Sequence, residues 1–517
     1  MFRVNNSLKR KVTLNTLSLF VKTIVNTLIT VYMVKLVLVY LGHYDFGVYT
    51  VVAGIVILFG FVSNSLSTAT QRFFSFEIGR GDIKELSNIF TMFLNIYFLL
   101  SLILIIISEV VGAWFIENYL SIDKDILKQA IVVFRITVLS FVATMLRTPF
   151  LGYIIAKEKI HIIALLGVLE PVLKLIFIIY LIYFTSYENK LIAYSNIVLI
   201  STILTSIFSF YYINKHIKFT YFKFYWDKKI FTKLSSYSGW SLFGAIIGPI
   251  NNQGFVLLIN FFFNPIINTA FALAYQVMVA INMFAVNFQI SMNPQIIKKF
   301  SSEKKDEMME LIFKSSKYCF FLSFIIGFPV ILLTDEILLL WLNDIPKYTT
   351  EFTKLAIVII LIESVSLPLK TGAQASGNIK YYQLIIGSIL LLNLPLSFYI
   401  FKSGFDPYYA LFSNIILGII SLIMRIIILN RLIEMNPFLF MNRVLLRTIF
   451  VTLLPLICCF MYLDSYSESD LNVFAILILS FATTTFSIYF FGLDKYEKKT
   501  LKKLINKIYN NGFKKKH

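Results

Sequence analysis

The sequence predicts an all-α integral membrane protein of about 14 transmembrane helices. Two six-helix lobes related by a parallel pseudo-two-fold repeat are expected, with two extra helices at the C-terminus. Three observations predict this class: long apolar stretches, basic residues concentrated in alternate loops, and a pattern shared by the two halves. Of the 517 residues 58% are hydrophobic and 15% are charged, and the mean hydropathy is +0.78. Such a composition excludes an ordinary soluble globule.

The apolar stretches have the length of membrane-spanning helices, which need about 20 residues to cross the hydrocarbon core. Barrel strands are excluded because they are much shorter, and lipid offers no partner to unpaired backbone groups. The predicted spans are residues 12–40, 46–66, 88–116, 127–152, 160–184, 191–213, 235–261, 265–290, 311–333, 351–372, 381–401, 408–430, 444–463 and 471–492.

The basic residues indicate which loops face the cytoplasm. Roughly three-quarters of the 47 Lys and Arg residues fall in the termini and in one set of alternate loops. The opposite loops hold few: Lys124, Lys128, Lys190, Lys347, Lys354 and Lys402. We therefore expect both termini in the cytoplasm, which requires an even number of spans. Because the net charge of +19 is spread between apolar segments, it indicates membrane topology and not nucleic-acid binding.

Residues that recur in the same order indicate an internal duplication. The recurring sets are Gln71, Trp114, Pro149, Ala156 and Ile160 in the first half and Gln295, Trp341, Pro368, Ala375 and Ile379 in the second. Corresponding spans run in the same direction, so the repeat is parallel. The pattern predicts two facing bundles with a cavity between them.

The predicted organisation has five parts. They are an N-terminal lobe (1–213), a cytoplasmic linker (214–234), a C-terminal lobe (235–430), two further spans (431–492) and a cytoplasmic tail (493–517). The tail alternates Lys with apolar residues at helical spacing, so we expect a basic amphipathic helix on the inner leaflet. A solvated helix is the alternative. No cleavable signal peptide is expected, because the first apolar run is long and carries Lys22 and Lys35.

Motifs in the first quarter of the chain resemble those of the polysaccharide flippases. These are the O-antigen and capsule repeat-unit exporters of the multidrug/oligosaccharidyl-lipid/polysaccharide superfamily. The motifs are residues 41–49 (LGHYDFGVY), 69–74 (ATQRFF) and 79–82 (GRGD). The resemblance implies a fourteen-helix protein of the bacterial cytoplasmic membrane with a cationic central cavity. It also implies export of undecaprenyl-diphosphate-linked glycan from the inner to the outer leaflet by alternating access.

Polar residues on span 1 are the first candidates for the binding site. Asn15, Lys22 and Asn26 share one helical face. A charge at the bilayer centre costs at least ~2.5–3.5 kcal/mol, so this face is expected to line a wet cavity where Lys22 meets an anion. The alternative is that Lys22 snorkels to the cytoplasmic headgroups.

Three arginines within other predicted spans are further candidates, each with an alternative. Arg135 either lines the cavity or forms an ion pair with Glu109 on another helix. Arg147 either receives an anionic headgroup from the cytoplasmic side or snorkels. Arg425 lies near the inner end of its span, where snorkelling is favoured over a cavity position.

Lys174 and two acids complete the candidate set, together with a pair of asparagines. Lys174 either binds the anion or is neutralised by Glu170, four residues earlier on the same helix. Glu363 has no basic residue within one helical turn, so it either exchanges a proton during transport or is a neutral structural acid. Asn251 and Asn252 either bind sugar in the cavity or hold helices together.

Other classes of function are disfavoured. The chain lacks a phosphate-binding Gly-rich loop followed by Lys and Ser or Thr, so we do not expect ATP hydrolysis. A membrane glycosyltransferase or polymerase would carry a large outer loop with acids, and the longest outer loop, near 334–350, is short, so no enzymatic activity is expected. Its Cys and His residues do not have metal-ligand spacing, and no cofactor is expected. A proton or sodium gradient is the candidate energy source, and membrane lipids and glycan-assembly proteins are the candidate partners. The rival function is a multidrug cation antiporter, which needs buried acids where span 1 offers Lys22.

Overall fold

The computed structural model describes residues 6–157, 159–184, 188–216, 225–342, 344–377, 379–465, 473–499 and 502. The described residues form α-helices and contain no β-strand. In chain order the helices are α1 (Asn6–Ile57), α2 (Gly60–Arg80), α3 (Ile83–Ile107), α4 (Ala113–Tyr119), α5 (Lys124–Ala156), α6 (Ile160–Phe184), α7 (Lys190–His216), α8 (Lys228–Phe262), α9 (Pro265–Ser301), α10 (Lys305–Leu332), α11 (Thr334–Leu342), α12 (Thr349–Ala375), α13 (Lys380–Leu391), α14 (Asn393–Lys402), α15 (Ala410–Ile433), α16 (Pro437–Phe440), α17 (Leu446–Ser465) and α18 (Val473–Ser487). Single π-helical turns at Ser108–Gly112, Met441–Leu445 and Ile488–Gly492 extend α3, α16 and α18.

The helices confirm the predicted class and a count of about 14 spans. Within the described residues, 12 helical segments are long and apolar enough to cross a membrane. The shorter apolar segment Ile246–Phe262 of α8 stands at the seventh predicted span, and α2 overlaps the second.

The break between the first two predicted spans falls where it was expected. Spans were predicted at 12–40 and 46–66, and the helical run from Asn6 to Ile57 is interrupted between them, although the second span ends at Ile57 and α2 begins at Gly60. Gly42 interrupts the run with φ 79° and ψ 173°, outside the helical region. Glycine adopts a positive φ at low cost, so the break falls at this residue.

A proline explains why the eleventh predicted span consists of two helices. α13 ends at Leu391, and α14 carries Pro395. Pro395 has no N–H to donate to the carbonyl of Leu391, four residues earlier, so the helical ladder is interrupted there.

The internal duplication is visible in where helices end. α5 contains Pro149 and ends at Ala156, and α12 contains Pro368 and ends at Ala375. Trp114 and Trp341 lie in the short helices α4 and α11, each of which follows a long span. The residues that recur in sequence therefore occupy similar places in their halves.

The chain divides into two compact units. The first comprises residues 1–273, 344–349 and 390–410, and the second 274–343, 350–389 and 411–517. In the first unit α5 packs against α7, α2 and α3, and α6 packs against α1 and α7. In the second, α10 packs against α17 and α18. The two predicted lobes stay a prediction, and residues 217–224 of their linker lie outside the described part.

The predicted basic tail is described only at its start. Residues 495–499 are helical, and the residues beyond 499 lie outside the described part except for 502. Glu497 is buried in this short helix. The start of the tail is therefore packed against protein.

Candidate functional site

A carboxylate shared by two cations forms the centre of the candidate site. Arg147 Nη1 of α5 lies 2.9 Å from Glu170 Oε2, and Lys174 Nζ lies 2.9 Å from Glu170 Oε1. Thr202 of α7 donates a hydrogen bond of 3.3 Å to the same Oε1. The structure confirms the predicted pair of Glu170 and Lys174 and adds Arg147 to it.

The helix that carries this carboxylate has a backbone break next to it. Pro171 lies inside α6 and has no N–H to donate to the carbonyl of Gly167, four residues earlier. Asn26 Nδ2 of α1 donates to that carbonyl at 3.0 Å. The polar face predicted on the first span therefore contacts α6, where it supplies the missing hydrogen bond.

Lys22 lies one turn before Asn26 and contacts the same glycine. An ideal Cβ on Gly167 would lie 2.6 Å from Lys22 Nζ, so the ammonium fills the space that the absent side chain leaves. The charge of Lys22 interacts with that of Arg147. Among the described residues Lys22 has no carboxylate partner. We name the set Lys22, Asn26, Arg147, Glu170, Lys174 and Thr202 the Glu170 cluster.

The Glu170 cluster carries an excess of positive charge. Its three basic side chains face one carboxylate, which leaves a formal surplus of two positive charges. The side chains of Arg147, Glu170 and Lys174 are only 13%, 19% and 21% exposed. Two buried polar atoms, Asn26 Oδ1 and Arg147 Nε, have no hydrogen-bond partner among the described residues. Of these two atoms, Arg147 Nε is a free donor, and a partly buried site with a free guanidinium donor and surplus positive charge can bind an anion.

Arg135 lies outside this cluster. Its Nε donates to Glu109 Oε2 at 3.0 Å, and Nη2 contacts Glu109 Oε1. The two side chains are 55% and 50% exposed. The structure thus shows the alternative predicted for Arg135, an ion pair with Glu109. Asn15 lies in α1, but its side chain falls outside the described part.

A second group of charges lies in the second unit. Glu363 of α12 interacts electrostatically with Arg425 of α15 and with Lys370, seven residues further along α12. The side chains of Glu363 and Lys370 are exposed. None of the described residues makes a direct ion pair with Glu363. Glu363, Lys370, Tyr382 and Arg425 form what we name the Glu363 cluster.

Arg425 is held inside its bundle. Its Nη1 donates to the Tyr382 hydroxyl at 3.2 Å, and its Nε donates to Ser421 Oγ at 3.1 Å. The guanidinium carbon lies 5.8 Å from the Tyr382 ring centroid, within the range of a cation–π contact. These contacts differ from the favoured expectation that Arg425 snorkels, because Tyr382 and Ser421 supply acceptors within the bundle.

The two asparagines of α8 differ in role. Asn251 Oδ1 accepts a hydrogen bond of 3.1 Å from Asn393 of α14, so this residue joins two helices. Asn252 is half-buried and has no hydrogen-bond partner among the described residues. Of the two, Asn252 is the one whose amide is available to a ligand.

Sequence reasoning missed several residues of these clusters. Thr202 belongs to a run of buried hydroxyls at helical spacing on α7, with Thr205 and Ser209, and that spacing was the available signal. Lys370 lies within α12 and within the predicted span 351–372, where a lysine in an apolar run was the available signal. Gly167 and Tyr382 carry no charge, and nothing in the sequence pattern distinguishes them.

Comparisons with known proteins agree with this architecture. Residues 18–169 match the MatE family. No curated protein matches the chain in sequence. An inward-facing multidrug resistance MATE family transporter of the MOP superfamily aligns with a TM-score of 0.68 and 12% identity, over 79% of this chain and 96% of that one.

Another similar structure is the lipid II flippase MurJ in an inward closed conformation. It aligns with a TM-score of 0.67 and 15% identity, over 92% of this chain and 98% of that one. An outward-facing MATE transporter aligns with a TM-score of 0.56 and 11% identity, over 81% and 96%. The chain therefore has the fold that MATE transporters of the MOP superfamily share with the flippase MurJ.

Proposed function

We propose that the protein is a flippase for lipid-linked oligosaccharide. It moves undecaprenyl-diphosphate-linked glycan repeat units from the inner to the outer leaflet of the bacterial cytoplasmic membrane, by alternating access through a cationic cavity. The observation that carries this proposal is the surplus of positive charge in the Glu170 cluster. A diphosphate brings at least two negative charges into the hydrocarbon core of the membrane, and ammonium and guanidinium groups offset them.

An apolar groove beside the cluster supports a lipid substrate. The groove has a volume of about 840 Å³ and lies between α6 and α7, where its walls include Ile176, Tyr180, Ile197 and Ile200. Phe177 and Leu181 also line the groove, and they lie three and seven residues after Lys174, on the same face of α6. A polyprenyl chain lying in the groove would bring its diphosphate to the cluster.

The rival function is export of cationic drugs, which the fold also supports. A cation site needs a free carboxylate, but Glu170 is already shared by Arg147 and Lys174. Glu363 lies in the field of Arg425 and Lys370. Both clusters therefore favour an anionic substrate over a cationic one.

Glu363 is the group that we assign to energy coupling. Its side chain is exposed and makes no direct ion pair among the described residues, so it can take up and release a proton as access changes. The nearby cations Lys370 and Arg425 offset its charge when it is ionised. No cofactor is needed, and the alternative energy source is a sodium gradient.

The test is a leaflet assay on purified protein in proteoliposomes. Fluorescent undecaprenyl-diphosphate sugar is placed in one leaflet, and its appearance in the other is followed for the wild type, Lys22→Ala and Arg147→Ala. Lys402→Ala, at the exposed end of α14, is the matched control. We expect both cluster variants to slow translocation at least about tenfold and the control to match the wild type.

Two outcomes would contradict the proposal. Equal rates in the wild type and in both cluster variants would remove the Glu170 cluster from transport. Accumulation of a fluorescent lipophilic cation, with no movement of the diphosphate lipid, would establish the multidrug antiporter instead.

A further inference from the structure

We propose that a basic cavity in the second unit binds the headgroup of an anionic glycerophospholipid. The cavity has a volume of about 730 Å³ and lies where α10, α17 and the π-helical turn Ile488–Gly492 meet the short helix 495–499. An adjoining cavity of about 270 Å³ shares Glu310, Lys314, Arg447 and Asp494 with it. This site is separate from both clusters, and the proposal does not rest on the proposed transport function.

The lining is rich in positive charge. Lys314, Arg447, Lys495 and Lys498 face two acids, Glu310 and Asp494. The carboxylate of Glu310 also contacts Arg443, which does not line the larger cavity, so part of its negative charge is offset from outside. Lys314 lies 3.7 Å from Glu310, a long distance for an ion pair. A surplus of positive charge therefore faces the larger cavity.

Arg447 is the residue best placed to bind a phosphate. It is half-buried, lines both cavities, and makes no hydrogen bond to any described residue. A guanidinium presents five donors in a planar fork that matches the oxygens of a phosphodiester. Lys495 is exposed on the opposite wall and likewise has no partner among the described residues. These two side chains leave donors free for an anion.

A buried ion pair fixes the wall that carries Lys495 and Lys498. Lys317 Nζ lies 2.9 and 3.1 Å from the two carboxylate oxygens of Glu497, and both side chains are at most 4% exposed. The backbone N–H of Glu497 donates to Asp494 Oδ1, and the N–H of Asp494 donates to Glu497 Oε2, each at 2.8 Å. This reciprocal cap starts the short helix. The cavity is therefore bounded by ordered structure.

Apolar side chains next to the charges favour a lipid over free phosphate. Phe490 and Phe491 line the cavity and are exposed, and Ile449 and Phe450 are exposed immediately after Arg447. A phosphodiester held by Arg447 would place its acyl chains along these residues. The topology predicted from the sequence puts this end of the helices at the inner leaflet, whose anionic lipids attract basic residues.

The experiment measures lipid binding to the delipidated full-length protein in detergent. Native mass spectrometry counts bound phosphatidylglycerol, with phosphatidylcholine and inorganic phosphate as comparison ligands. The double variant Arg447→Gln/Lys495→Gln removes the two unpaired cations. Arg431→Gln/Lys402→Gln removes two exposed charges elsewhere and is the matched control.

We expect the wild type and the control to retain phosphatidylglycerol in preference to phosphatidylcholine. The double variant should bind it about tenfold more weakly or worse. Arg447→Lys keeps the positive charge but loses the planar guanidinium, so its affinity for phosphatidylglycerol should lie between those of the wild type and the double variant. This single variant also tests the proposal if the double variant does not fold. Equal retention of the two lipids, equal binding by wild type and double variant, or displacement of the lipid by millimolar inorganic phosphate would each overturn the proposal.

Discussion

Asn26 Nδ2 donates a hydrogen bond of 3.0 Å to the carbonyl oxygen of Gly167. That oxygen has no donor within its own helix, because residue 171, four positions later, is a proline. An unpaired carbonyl in a membrane is costly, and an amide from the neighbouring helix satisfies it. The contact also fixes where α1 meets α6, and hence where Lys22 lies relative to Glu170.

The first prediction tests this relationship by a double-mutant cycle. Asn26→Leu removes the donor and leaves the Gly167 carbonyl unsatisfied, which should lower the stability by about 1–3 kcal/mol. In the Pro171→Ala background the helix supplies its own N–H, so Asn26→Leu should cost clearly less. Thermal unfolding of the four purified proteins measures the coupling. If Asn26→Leu lowers the stability equally in the wild-type and Pro171→Ala proteins, Asn26 does not stabilise the protein through the Gly167 carbonyl.

The second prediction concerns the space beside Gly167. Gly167→Ala places a methyl group where the end of the Lys22 side chain lies, so the ammonium must move from its place in the Glu170 cluster. We expect translocation of the diphosphate lipid to fall about tenfold while the protein still folds, since overpacking costs about 1–3 kcal/mol. Gly418→Ala, whose nearest neighbouring atom would lie at an ordinary 3.7 Å, is the control. Unchanged transport in Gly167→Ala would contradict a role for the position of Lys22.

The third prediction concerns the shared carboxylate. Glu170→Gln leaves Arg147 and Lys174 facing each other with no counter-charge. Because these like charges are mostly buried, the free energy of unfolding should fall, and because they keep some contact with solvent, the loss should not exceed about 3 kcal/mol. Adding Lys174→Met returns the net charge of the cluster to its original value. The double variant should therefore unfold at a higher temperature than Glu170→Gln alone. A double variant less stable than the single one would exclude charge repulsion as the cause.

Some of this organisation could be predicted from sequence and some could not. Hydropathy predicted the spans, because it depends on local composition. The pair of Glu170 and Lys174 was predictable since its members lie four residues apart on one helix. The contact of Arg147 with Glu170 joins two helices, and no periodicity reports which faces of two helices meet.

Glu363 illustrates the same limit in the second unit. It lacks a basic neighbour within one turn, yet Arg425 of another helix and Lys370, two turns away, act on it. Arg425 was expected to snorkel. Its hydrogen bond to Ser421 joins residues four apart on one helix, whereas its hydrogen bond to Tyr382 of α13 depends on tertiary packing. Partners brought together by packing were the part of the site that sequence did not reveal.

The fourth prediction concerns the pH dependence of the tail's docking. Burial raises the pKa of the Asp494 carboxyl, but the backbone N–H of Glu497 and the positive charges of Lys317 and its basic neighbours outweigh it, so the pKa lies below its usual value of 3.8. A carboxyl with a lowered folded pKa stabilises the docked helix above its ordinary pKa, and the contribution is lost as the pH falls through the folded value.

Hydrogen exchange of residues 493–499, corrected for the intrinsic rate, measures this effect. Protection should be constant from neutral pH to about pH 5 and should fall once the pH drops below about 4. Asp494→Asn should show weaker protection at neutral pH and a smaller change on acidification. An Asp494→Asn profile that overlays the wild type would contradict the assignment.

The fifth prediction concerns Glu363 as the coupling group. Glu363→Gln is nearly isosteric but cannot exchange a proton, so an imposed proton gradient should no longer accelerate translocation in proteoliposomes. The rate without a gradient should stay within a few-fold of the wild type, because the Glu170 cluster is intact. Glu351→Gln, exposed in the first turn of the same helix, should respond to the gradient as the wild type does. If a proton gradient accelerates translocation by Glu363→Gln, Glu363 is not the coupling group. If a sodium gradient alone accelerates translocation by the wild type, sodium and not the proton is the coupling ion, because a proton-exchanging carboxyl gives no response to sodium.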